Sequence, residues 1–158
     1  MTVPVRYLAL EGLVNVLKTV TPAGGYVYDL SATDVVEIGV DTIGMMLERS
    51  MQVQVQVREG REDHTILYAT PHAPRNADYQ IVIFSLLKGD FDTPTPKRLN
   101  QLLADINKVI GLNPTLQNTV HMSHLARVVE PVYDSDRRAA WASIELVTNY
   151  QYEAGVSI

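Results

Sequence analysis

The most regular stretch of the chain is Met51-Gln52-Val53-Gln54-Val55-Gln56-Val57, which alternates strictly between apolar and polar side chains. A β-strand points successive side chains to opposite faces, so this pattern predicts a strand with Met and Val on one face. The glutamines share the other face. That face is either solvated or set at a subunit contact, where uncharged amides hydrogen-bond without the cost of desolvating a charge. A three-to-four-residue apolar period, Leu10, Leu13, Val14 and Leu17, predicts a helix over 4–19, ended by Thr21-Pro22-Ala23-Gly24-Gly25. Tyr26–Leu30 has the β-branched and aromatic content of a short strand. Over 31–44, Gly39 and Gly44 interrupt the apolar positions, and no regular element is expected.

Residues 58–78 are polar and read as a long connection. Ile66-Leu67-Tyr68 can pair briefly within it and make an extended hairpin arm. Tyr79–Leu87 is apolar on both faces, as a central strand covered from two sides would be. Thr95 as N-cap and Pro96 at the first helical position open a second helix. Its stripe is Leu99, Leu102, Leu103, Ile106, Val109 and Ile110, and Gly111 and Pro114 end it. One strand is expected within 119–130 and a last one from Trp141 to Tyr152, with Ala142, Ile144, Leu146, Thr148, Tyr150 and Tyr152 on one face. The charged turn Asp134–Arg138 makes an antiparallel hairpin of these two. The expected fold is a single α+β domain over 1–158, a mostly antiparallel mixed sheet flanked by two main helices.

Composition narrows the chemistry. The chain has 158 residues, 46% of them apolar, enough for one core. No apolar run approaches the roughly 20 residues of a bilayer-spanning helix, and the N-terminus lacks a secretory pattern. Cysteine is absent, which removes disulfides and thiolate chemistry and points to a cytoplasmic site of synthesis. The net charge of −5 is spread over mixed signs without a basic cluster, so neither specific nucleic-acid binding nor a membrane partner is expected.

No glycine-rich phosphate loop or nucleophile elbow is present. His121 and His124 would diverge on a strand, so no metal site is expected there. Asp90 and Asp92 are better explained by turn formation than by acid–base catalysis. Glu145 falls on the polar face of the last strand. The chain is therefore expected to be a building protein and not an enzyme, with no cofactor.

Four features together carry a resemblance. An opening helix near Arg6-Tyr7 is followed by Gly25-Tyr26 and Asp29-Leu30. Leu47-Glu48-Arg49 leads into the alternating strand Gln52–Val57 and a polar loop. The strand Asp78–Leu87 precedes a helix holding Leu102-Leu103-Ala104-Asp105-Ile106. Finally, Arg127-Val128-Val129-Glu130 and an acidic turn precede Ala142–Val147 and Tyr150-Gln151-Tyr152-Glu153. This order resembles the tail terminator proteins of long-tailed bacteriophages, the family that includes the terminator of phage lambda. Many members carry a proline just ahead of the alternating strand, where this chain has Arg49-Ser50-Met51.

The resemblance implies a homo-hexameric ring in the virion, at the tail end nearest the head. The ring caps the tail tube protein, stops its polymerisation and offers a surface to head–tail connector or neck proteins, and to sheath protein if the tail is contractile. The residues expected to serve those contacts are Gln52, Gln54 and Gln56, the arm residues Arg58, Glu59, Arg61, Glu62 and Asp63, and the turn residues Asp134, Asp136, Arg137 and Arg138. The alternatives are another head–tail junction protein, such as a tail-completion or neck component, and a small ligand-binding domain using the cleft between sheet and helices.

Overall fold

The alternating strand is the root of a hairpin much longer than its pattern. In the computed structural model, which describes residues 4–66, 74–89 and 95–153, β2 (Val53–Ile66) and β3 (Pro74–Lys88) pair antiparallel from Val53↔Leu87 to Ile66↔Arg75. The expected polar connection at 58–78 is thus largely strand. Its side chains lack an apolar face because this stretch is held by the backbone ladder to β3 and not by burial in the core. The ladder slips once, between Glu59 and Glu62. Gly60 sits in that irregularity, where a Cβ would come 2.6 Å from the Gln80 carbonyl oxygen. The Leu67-Tyr68 part of the expected pairing, like Asp90 and Asp92, lies outside the described residues.

β6 (Ala139–Glu153) pairs with β3 along its whole length, from Lys88↔Ala139 to Pro74↔Glu153. β3 is therefore central, as its two apolar faces require. β4 (Met122–Val128) and β5 (Val132–Asp134) both pair antiparallel with the other side of β6. β1 (Val36–Ile38) lies parallel to β2 at Val55–Val57. The order is β1-β2-β3-β6-β4, an α+β mixed sheet that is antiparallel apart from β1. β5, not foreseen, is the partner that faces β6 across the charged turn; the strand expected within 119–130 is β4, further along the same edge.

α1 (Val5–Leu17) and α3 (Thr95–Leu112) cover one face. Leu10, Leu13, Leu17, Leu99, Leu102 and Ile106 meet Val55, Val57, Ile81, Ile83, Ile144 and Leu146 in the main core. Tyr26–Leu30 is not a strand. The Val27 and Tyr28 N–H groups donate to Asp105 Oδ2 on α3, each at 2.9 Å, and the Leu30 N–H donates to the Val20 carbonyl. A buried carboxylate has taken the place of a neighbouring strand.

The irregular stretch expected at 31–44 holds β1 and the start of α2 (Ile43–Glu48). Thr42 caps α2 by accepting from the Met45 N–H at 3.2 Å. α2 lies on the second face of the sheet, where Met46 packs with Phe84 and Leu86.

Candidate interaction surfaces

The glutamine face is where α2 docks, and this corrects the expectation of a wet or intersubunit surface for two of its three members. Gln54 and Gln56 are each only 1% exposed. Gln54 Nε2 donates to the Met46 carbonyl at 2.6 Å. Gln56 Oε1 accepts from the Asp41 N–H at 3.1 Å and from Arg58 at 2.9 Å. Gln54 thus holds the backbone of α2 and Gln56 the backbone between β1 and α2, while Gln54 Oε1 stays buried without a partner. Gln52 remains exposed.

Arg58 belongs to the same layer and is not a free arm charge. Its guanidinium donates to the Asp41 carbonyl at 2.6 Å and stacks over the Phe84 ring at 4.5 Å. Burial lowers its pKa, with Asp41 acting against the shift. Beside it Arg49 bridges Glu37 and Asp41, tying β1 to the α2 entrance.

Beyond the bulge, the arm residues divide by face. Arg61 and Asp63 are exposed and pair with each other at 3.0 Å. Glu59 is exposed at the root. Glu62 points the other way and is mostly enclosed. Its carboxylate accepts from the Tyr150 hydroxyl at 2.7 Å and contacts His64 Nε2 at 2.7 Å, while His64 Nδ1 lies 2.7 Å from the Tyr152 hydroxyl. Both ring nitrogens of His64 are thereby engaged, Nε2 with the Glu62 carboxylate and Nδ1 with the Tyr152 hydroxyl. The His64 and Tyr152 rings meet edge to face with centroids 5.5 Å apart. This chain of four side chains bridges β2 and β6 across β3.

His64, Tyr150 and Tyr152 are not among the contact residues that the sequence suggests. Their signal was present, since Glu62/His64 and Tyr150/Tyr152 are each two apart and so share a face of a strand. Only the register of β2 and β6 against β3 brings the two pairs together.

Burial, and then the Glu62 carboxylate, raise the Tyr150 phenol above its ordinary value; burial, and then Glu59, do the same for Tyr79. Because the folded values are raised, this stability is complete below the unfolded phenol value and is lost as pH rises toward the folded one. The urea midpoint is therefore expected to fall above about pH 10, and less steeply in Tyr150→Phe. Urea titrations from pH 7 upward check this; identical pH profiles for the two proteins would contradict it.

The turn between β5 and β6 is built by its own charges. Asp134 accepts from the Arg137 N–H at 3.1 Å, and Arg138 takes a left-handed φ of 51°. Asp136, Arg137 and Arg138 are exposed. Arg137 and Arg138 border an open groove of about 620 Å³ shared with Gln52, Lys88 and Gly89. The arm tip and this turn stand at opposite ends of β6, so the expected contact residues form two separate surfaces. Glu145, between them, is held by Arg127 at 2.8 Å, and that bond lowers its pKa. Among the described residues no group of three or more His, Asp or Glu is placed to hold a metal ion, and no helix is long and apolar enough to cross a membrane.

No protein-family model matches the chain, and no curated protein matches it. Among solved structures it is similar to a chain of a "Virion of native gene transfer agent (GTA) particle", at 10% identity over 90% of this chain and 94% of that one, with a TM-score of 0.47.

Proposed function

We propose that this chain is a structural virion protein of the tail terminator type: a ring-forming subunit that caps the tail tube, stops its growth and joins it to the head connector. Its partners are copies of itself, the tube protein and connector or neck proteins. It acts by occupying an interface and not by bond chemistry. The element order resembling terminators supports the family reading, and one observation carries the physical case. The β2–β3–β6 arm spends a mostly enclosed carboxylate, two tyrosines and a histidine on staying rigid, while its other side presents Arg61 and Asp63 to solvent. A projection braced in this way is preorganised for a neighbour, and mixed charges on it set register and partner choice.

One face of such a ring matches the tube end, and the opposite face offers no template for another tube ring. Head-to-tail contacts give a closed ring when the rotation per subunit allows it. The test is deletion of the gene from a producing phage. The expected result is overlong tubes that fail to join heads, restored by the wild-type chain; joined tails of normal length would refute the proposal. Reversing both Arg61→Glu and Asp63→Arg separates the arm from the fold, since both residues are solvent-exposed. Arg58→Glu would not, because it removes a guanidinium that the second face is built around.

A further inference from the structure

The sheet has two open edges, and they are unlike. On one side β1 covers β2 only at Val55–Val57; from Arg58 to Ile66 no described strand lies outside β2. On the other side β4 and β5 run along one side of β6, and no described strand lies outside them. A strand edge with unpaired N–H and C=O groups is a template for another strand, and a closed assembly is one way to remove it.

Both edges carry apolar surface. The β2 edge begins at a groove of about 580 Å³ where β1 stops, bordered by Tyr7, Leu10, Ile38, Val40 and Val57. Val40 there is 85% exposed. The opposite edge concentrates Met122, Val128, Val129, Val132 and Tyr133, all exposed large apolar side chains. Each edge thus sets exposed apolar side chains beside strand backbone that no described strand covers.

We infer that the β4–β5 edge of one copy pairs with the arm edge of β2 in a second copy of this chain, so that the sheet continues from subunit to subunit. The inference deepens the ring reading and rests on it. A second copy is the occupant because two uncovered strand edges, each with exposed apolar side chains, lie at opposite sides of one sheet. Joining them is head-to-tail and leaves the same two edges free at the ends until the ring closes.

The chain has no cysteine, so introduced pairs report contacts without background. Arg61→Cys or Asp63→Cys is combined with His124→Cys or Val128→Cys in the full chain, covering both strand registers. The products of mild oxidation are read on non-reducing gels beside native mass spectra. At least one pair is expected to give a covalent ladder up to the ring number, while each single variant gives dimers at most. Intact rings without a ladder from any pair would overturn the edge pairing and leave the ring reading standing. Monomers at every concentration and on tube ends would overturn both. Val129→Lys, at an already exposed site, is expected to weaken association by about tenfold or more while the monomer stays folded. Unchanged association would count against the inference.

Discussion

Asp105→Ala is expected to destabilise the chain by about 3 kcal/mol, because it strips one acceptor from two backbone donors at once. Asp105 is 6% exposed, and its Oδ2 receives the Val27 and Tyr28 N–H groups. Without it the Tyr28 N–H is left buried and unpaired, and the connection after α1 loses its tether to α3. Asp105→Asn keeps an acceptor oxygen in place and is expected to lose about half as much. Urea unfolding of the three proteins measures this. Equal losses for Ala and Asn would mean that the charge, and not the bonding to the backbone, is what matters.

Glu62→Ala is the second large effect, and it falls on the arm. Removing the carboxylate leaves the Tyr150 hydroxyl buried without an acceptor and frees His64 from one side. The expected cost is about 2–3 kcal/mol, with Tyr150→Phe costing about 1, and the two non-additive because they delete the same bond. The local signature is faster hydrogen exchange in residues 59–66 and 74–80 while α1 and α3 stay protected. Uniformly faster exchange across the chain would show that the network holds the whole fold and not the arm.

The elements most readable in the sequence are those whose hydrophobic period is set by the core. The alternation at 51–57, the two-faced apolar run at 79–87, the stripe of α3 and the single apolar face of the last strand all appear in the structure where their periods place them. What could not be read was structure held by polar groups. The outer half of β2 has no apolar face, so nothing local separates it from a loop; its ladder to β3 defines it. Tyr26–Leu30 has strand composition, yet its Val27 and Tyr28 N–H groups go to a carboxylate about eighty positions away and its Leu30 N–H to the Val20 carbonyl.

The glutamine face shows the same limit for function. Three amides in alternation fit solvent, a neighbour or an internal partner equally well, and only the position of α2 decides. It removes Gln54 and Gln56 from the contact surface, as Phe84 and Asp41 do for Arg58. Arg61, Asp63 and the turn residues Asp136, Arg137 and Arg138 keep their exposure.

The central claim is that the chain terminates a tube. Its most direct test adds the purified full-length chain to polymerising tail-tube protein and measures tube length and end structure by electron microscopy. The account predicts shorter tubes that stop growing, each carrying one sixfold ring at a single end. Tubes that lengthen at the same rate, with no added density at either end, would contradict it.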